Sequence, residues 1–385
     1  MTAPRLEIDL DKIHHNASTL VERLGARGIA VTGITKAALG APEIATTLIR
    51  AGVSGLGDSR IENIETMRRA RIPSPMMLIR SPMPSQAERV VAQADISFNT
   101  ELDVVSRLSF AAQAARRTHG IVLMVELGDL REGIMPGDLE PFVRKMLGFP
   151  NIALRGIGTN LACRSGVAPD ARNMAELSAL ADRIDAAFGA RLGAGPANRL
   201  GIVSGGNSAN LAWALSGADT GRINDLRLGE AILLGCEPLH RLPIDGLHTD
   251  AITLIAEAIE SKRKPSRPWG EIGQSAFGAA PAGAMKPDTG RDTDAGRSTQ
   301  TIFALGRQDT DPDGLVPPAG IEILGASSDH LIVRSSRYHL SAGDEIRFQL
   351  NYSALVRAMT SPFVARVMKA SSAPIREPAA ALQGA

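Results

Sequence analysis

Aromatic side chains are scarce in this chain: 3% of 385 residues, with two tyrosines and two tryptophans. So few flat side chains argue against a base-stacking surface. A net charge of +1, from 42 basic and 41 acidic residues, lacks the electrostatic footprint that nucleic acid or an anionic membrane requires. The two cysteines, Cys163 and Cys236, cannot make a disulfide framework. No apolar run is long enough to span a bilayer, and the opening MTAPRLEIDLDKIHH has no signal-peptide core, so a cytoplasmic protein is expected. Lysine is also rare: Lys12, Lys36 and Lys145 are the only ones before Lys262. What is present, 44% hydrophobic and 22% charged residues, is ordinary globular composition, long enough for one large domain and a smaller one.

From residue 28 to about 230, apolar runs alternate with stretches of helical spacing. The expected strands are 29–35, 53–56, 76–79, 96–98, 121–125, 152–157, 200–203 and 226–228. The expected helices are 41–51, 59–70, 84–92, 101–118, 139–147, 169–188 and 208–216, several opening on Asp, Ser, Asn or Pro. Continuously apolar strands fit a parallel sheet buried on both faces, and eight such units indicate an α/β fold of the (β/α)8 TIM-barrel type over residues 8–240. Beyond residue 245 the runs 251–259, 301–305, 321–324, 330–333 and 345–350 are short, β-branched and divided by turn residues. They predict a C-terminal, mainly antiparallel β domain over 245–370. The Gly/Pro-rich stretch 279–299 reads as a loop and 371–385 as a disordered tail.

Barrel chemistry sits at the C-terminal ends of the strands. The first strand ends at Lys36, where an amine is poorly solvated. Desolvation favours its neutral form, a nucleophile for aldehydes. A barrel-edge lysine in a salt bridge is the competing reading. The fifth strand leads to Arg131, and the sixth to Asn160 with Cys163 beyond. The seventh ends in Ser204-Gly205-Gly206-Asn207-Ser208, a glycine-rich turn entering a helix, which suits an anion such as phosphate. The eighth carries Arg227, Gly229 and Glu230. A phosphate site facing an aldehyde-capturing lysine suggests pyridoxal 5'-phosphate. Arg227, always protonated, could only donate to that cofactor's ring nitrogen, or could pair with Asp225 or Glu230. An unprotonated ring nitrogen is a weak electron sink, suited to simple removal and return of a proton.

These residues resemble the fold-type III pyridoxal-phosphate enzymes related to alanine racemase, across most of residues 5–365. Ile8-Asp9-Leu10-Asp11 with His15-Asn16 is similar to that family's opening strand and helix. Lys36 matches its cofactor-bearing lysine, Asn207-Ser208 its phosphate-binding pair, Arg227 its pyridine-facing arginine, and Gly229 and Glu230 its backbone phosphate contacts. The segments TGITKA, GDSRIENI, VELGDLREGIMP, GTNLAC, SGGNSANL, LRLGEAILLG, KPSRPWGEIG, ALGRQDTDP, LGASSDHLIV and LVRAMTSPFV resemble a narrower subgroup, the ornithine racemases. The resemblance implies a racemase of ornithine or another basic amino acid, working as a homodimer with shared active sites.

The chain departs from the alanine racemase pattern in several places. Gly40 stands where a phosphate-contacting tyrosine is expected, and Asn160 where a histidine stacks on the cofactor. Arg131 corresponds to the arginine near the cofactor's phenolic oxygen. The partner-supplied catalytic tyrosine has no counterpart, its segment offering Ser275 and Phe277. Racemisation by two bases needs a proton acceptor on each face of Cα. Lys36 is one. Cys163, Tyr352 and, from the partner subunit, the segments Arg307-Gln308-Asp309 and Ser328-Asp329-His330 are candidates for the other, although a buried cysteine is commonly inert and Tyr352 could simply pack in the β domain. Asp309, Asp311 or Asp329 would suit a basic substrate side chain, if not solvated turn residues. An alanine or broad-specificity racemase and a non-catalytic cofactor-binding protein are the alternatives. A metal-assisted aldolase lacks its His/Cys pair.

Overall fold

The computed structural model describes residues 2–192, 199–265, 277 and 297–370. The expected tail, Ser275 and most of the 279–299 loop lie outside the described residues.

In chain order, β1 (Arg5–Asp9) and α1 (Leu10–Gly25) come first. Then follow β2 (Ala30–Ile34), α2 (Pro42–Arg50), β3 (Gly55–Asp58), α3 (Ile61–Arg69), β4 (Met76–Leu78), α4 (Ala87–Gln93), β5 (Ile96–Asn99) and α5 (Leu102–Ala114). Next are β6 (His119–Met124), α6 (Leu139–Met146), β7 (Ile152–Gly158), α7 (Ala171–Leu192), β8 (Ile202–Ser204), α8 (Leu211–Leu215), β9 (Asp225–Leu228) and α9 (Glu230–Leu234). The remainder comprises β10 (Ile252–Pro265), β11 (Arg297–Phe303), β12 (Leu315–Val316), β13 (Ile321–Ala326), β14 (Leu331–Ser335), β15 (Glu345–Leu350), α10 (Tyr352–Thr360) and β16 (Ala365–Lys369).

Strands β2 to β9 close into a parallel barrel, and each of the eight apolar runs supplies one strand. Strands such as β6 are buried at every position because helices cover the outside and side chains fill the inside. Met77, Phe98, Val122 and Met124 form the interior plug. The second unit is a sheet in the order β12-β15-β10-β11-β14-β13, antiparallel throughout. β1 joins it, antiparallel to β10 and parallel to β16. Its Glu7 is buried among Arg5, Arg347 and Lys369.

Asp9 ends β1 and caps α1, accepting from the N–H of Asp11 and Lys12 at 3.1 and 3.0 Å. Further along, the fully buried amide of Asn16 donates to the carbonyls of Ile232 and His248 and accepts from the N–H of His248. One side chain thus ties α1 to α9 and to the segment that leaves the barrel.

Three elements of the second unit carry no clear signal in the sequence: the two-residue β12, helix α10 and β16. Helix α10 opens on Asn351, whose side chain accepts from the N–H of Ala354 at 2.9 Å, and buries Ala354, Leu355, Ala358 and Met359. β16, an edge strand with little burial, has no alternation to reveal it.

Candidate active site

Lys36 opens a single 3-10 turn directly after β2. Thr35 anchors that turn. Its N–H donates to Gly57, and its carbonyl accepts from the N–H of Ala38 and Gly40 at 2.8 and 3.3 Å. The chain leaves through Leu39 and Gly40, both left-handed (φ +53° and +66°). A Cβ on Gly40 would lie 2.7 Å from the backbone oxygen of Asn63. Only glycine fits there, which explains why the tyrosine expected at this position is absent. Lys36 itself is half-buried, and its Nζ lies 5.8 Å from the centre of the Tyr352 ring.

Beneath Thr35, Asp58 is fully buried at the end of β3. It accepts from the Thr35 hydroxyl (2.7 Å), the N–H of Arg60 (2.9 Å) and the amide of Asn63 (3.0 Å). Burial pushes its carboxyl up and these hydrogen bonds oppose the shift.

A cavity of about 930 Å³ opens above the barrel, and its walls gather Lys36, Arg131, Asn160, Cys163, Asn207, Ser208, Arg227, Gly229, Glu230 and Tyr352. Ser204 and Gly206 are not part of the wall. Ser204 is fully buried, donating to Asp225 and accepting from Arg227. It supports the arginine from below and cannot touch a ligand in the cavity. Asp225 also takes the hydroxyl of Thr32 at 2.6 Å. Arg227 is therefore linked to Asp225 through Ser204, not paired with it directly. It lies 5.1 Å from the centre of the Phe98 ring and donates to the carbonyl of Thr159 at 2.6 Å. Burial lowers its affinity for its proton while Asp225 opposes the change.

The turn after β8 is a capping box. The Asn207 side chain accepts from the N–H of Ala209 at 2.8 Å, and Asn210 returns the bond to the N–H of Asn207 at 3.1 Å. The loop thus presents fewer free N–H groups than its glycines suggested. Ser208 and the turn at Gly229 and Glu230 lie side by side, joined by a bond from the N–H of Ala231 to the Ser208 hydroxyl at 3.2 Å.

The Asn207 amide also donates to the Leu161 carbonyl (2.8 Å), Asn160 Oδ1 (3.2 Å) and Cys163 Sγ (3.4 Å). Cys163 is exposed, which removes the competing reading of an inert buried cysteine. Its loop is held by Asp129, itself buried, which accepts from the N–H of Arg164 and Ser165 at 3.0 and 2.9 Å. Glu126 accepts from the N–H of Gly128, Leu130 and Arg131 and so shapes the turn that delivers Arg131. Arg131 is ion-paired with Glu132.

Two wall cations escaped the sequence reading. Arg241 comes from the segment after α9 and has a left-handed backbone (φ +59°). Arg357 comes from α10, whose face of Tyr352, Ser353, Val356, Arg357 and Thr360 lines the mouth. With Lys36, Arg131 and Arg227 they share the wall with one carboxylate, Glu230. Burial raises its carboxyl, against the pull of Arg241 and Lys36. Such a wall attracts anions such as phosphate and carboxylate. Burial also pushes the Tyr352 phenol well up, with Glu230 adding to the shift.

Asp309 and Asp329 lie elsewhere. They line a second cavity of about 520 Å³ with Gln308, His330 and Phe363. Asp309 is buried, accepting from the N–H of Gly306 (3.0 Å) and the hydroxyl of Ser361 (3.3 Å). Asp329 is exposed and contacts the His330 ring at 2.7 Å.

Comparison with known proteins agrees with this arrangement. Residues 8–237 match the model for the alanine racemase N-terminal domain. The chain is 37% identical over 373 residues to a lysine racemase of Thermotoga maritima, covering 96% of this chain and 100% of that protein. It is 37% identical over 366 residues to an ornithine racemase of Acetoanaerobium sticklandii, covering 94% and 98%. Among solved structures, the alanine racemase of Streptomyces lavendulae superimposes with a TM-score of 0.70 at 20% identity, covering 96% of this chain and 98% of that one, a likeness of fold. With the closed barrel, the second sheet and the lysine-bearing mouth in place, this chain belongs to the alanine racemase family.

Proposed function

We propose that this protein is a pyridoxal 5'-phosphate-dependent amino-acid racemase acting on a basic substrate, ornithine or lysine. The observation that carries the reading is that one cavity joins Lys36, Arg227 and the adjacent turns at Ser208 and Gly229-Glu230. Near-full-length similarity to a lysine and an ornithine racemase supports the substrate class. The residues fit the cofactor: adjacent helix-start turns for a phosphate, a buried guanidinium that only donates for a ring nitrogen, and a lysine on the same wall.

The bound cofactor would supply the aldehyde that captures the substrate's amine and the ring that withdraws electrons from Cα. The protein does the rest. Ser208 and the turn at Gly229 and Glu230 would hold the phosphate. Arg227 and Asn160 would hold the ring, and Arg131 would face its oxygen side. Lys36 Nζ takes or returns the Cα proton on one face. Cys163 Sγ serves the other, oriented by Asn207. Tyr352, kept protonated by burial, suits donation to an anion better than proton abstraction.

In the proposed cytoplasmic homodimer, the exposed Asp329, paired here with His330, would be the carboxylate a partner could bring to a substrate's side-chain ammonium. Asp309 is not available, because its own loop and Ser361 occupy its oxygens. The test is a panel of single-enantiomer amino acids followed by chiral separation. Interconversion of ornithine and lysine is expected. Interconversion of alanine alone would move the substrate assignment, and failure with ornithine, lysine, arginine, alanine and serine would leave only a non-catalytic cofactor binder.

A further inference from the structure

Thr35 precedes Lys36 directly, and all of its polar groups are engaged. Its N–H and carbonyl bind backbone, and its hydroxyl reaches Asp58. Both residues are buried, at 1% and 0% exposure, so neither can exchange its partner for water. The second oxygen of Asp58 holds Arg60 and Asn63, and the backbone of Asn63 closes on Gly40 at the other end of the same turn. The segment from Asp58 to Asn63 thus grips the Lys36 turn at both ends, although none of its residues lines the cavity.

We infer that Asp58 is a positioning residue of the reaction: through Thr35 it fixes the turn from which Lys36 reaches into the cavity. The inference rests on Lys36 being the cofactor-bearing lysine proposed above. A long, flexible amine attacks productively only when its base is held. Misplacement by about 1 Å costs on the order of a hundredfold in rate. The phosphate-binding turns belong to β8 and β9 and make no hydrogen bond to Asp58. Loss of Asp58 should therefore uncouple capture by the lysine from recognition of the phosphate.

Two probes separate these roles. Pyridoxal 5'-phosphate can bond to a lysine, whereas pyridoxamine 5'-phosphate, lacking the aldehyde, cannot. For Asp58→Asn and Thr35→Val, affinity for the aldehyde should fall about tenfold, matching the loss of one hydrogen bond to a buried carboxylate. Borohydride trapping at Lys36 should slow in parallel, while affinity for the amine stays within about twofold of the parent. Thr35→Ser, which keeps the hydroxyl, should restore trapping. Equal weakening of both probes, or unchanged trapping in Thr35→Val, overturns the proposal. Should Asp58→Asn fail to fold, the Thr35→Val and Thr35→Ser pair decides alone. A reduced adduct mapped to another residue in the parent protein would instead overturn the assignment of Lys36.

Discussion

The two sides of the cavity are built differently. The Lys36 turn is short, follows a buried strand and is gripped through Thr35 by a carboxylate that water cannot reach. The Cys163 loop lies at the exposed lip, held by Asp129 through two backbone N–H groups and by Asn207 through a sulfur contact at 3.4 Å. Of the two proton acceptors proposed, Lys36 is fixed by the barrel and Cys163 lies at the exposed lip. Two-base racemisation needs both faces of Cα served, yet under the proposed mechanism only the Lys36 side would also hold a cofactor, and that side is the one built into the core.

The largest effect expected is at the rigid side. Lys36→Ala should remove both the borohydride adduct and turnover, a loss of about a thousandfold or more. An Ala variant that racemises at the parent rate would end the comparison by removing one of its members.

The next test divides the two sides. Cys163→Ala should cut racemisation by about a hundred- to ten-thousandfold yet leave exchange at the face served by Lys36. In deuterated water, one enantiomer should then exchange its Cα proton without inversion while the other stays inert. If both enantiomers still exchange and invert, another group serves the second face.

A smaller change should sharpen the contrast in holding. Asp129→Asn keeps one acceptor oxygen but turns an amide donor toward an N–H it formerly bound. Racemisation should drop about ten- to a hundredfold, with adduct formation at Lys36 unaffected. An equal loss of adduct would mean that Asp129 supports the whole mouth and not the lip alone.

This contrast also explains what could be read from the sequence. Strands β2 to β9 were legible because parallel strands buried on both faces are written as unbroken apolar runs. Lys36, Arg131, Asn160, Asn207, Arg227 and Glu230 were legible because barrel chemistry collects at strand exits, and exits can be counted. Ser204 was misplaced in depth: its hydroxyl lies between Asp225 and Arg227, beneath the arginine and away from the cavity. Arg241 and Arg357 were not legible at all. They reach the mouth only because the segment after α9 and helix α10 fold back over it, and nothing local in a chain records such a return. Asp58 was visible in GDSRIENI, but its hold on Lys36 depends on the parallel register that sets Ile34 against Gly57.

The smallest effect is expected at Tyr352, which stands between the two sides. Its ring lies 5.8 Å from Lys36 Nζ, and burial followed by the charge of Glu230 pushes its phenol up. A raised value means the phenol keeps its proton across the neutral range, so it can donate there and cannot take a proton from Cα. Tyr352→Phe retains the ring beside the amine and loses only the donor. The rate should fall less than about tenfold, with the loss seen mainly as weaker binding of pyridoxamine 5'-phosphate and with the alkaline limb of the pH–rate profile unmoved. A Phe variant as inactive as Cys163→Ala is expected to be, alongside an active Cys163→Ala, would exchange the roles. The second proton would then travel through a phenol on α10, and the exposed lip would be an entrance and nothing more.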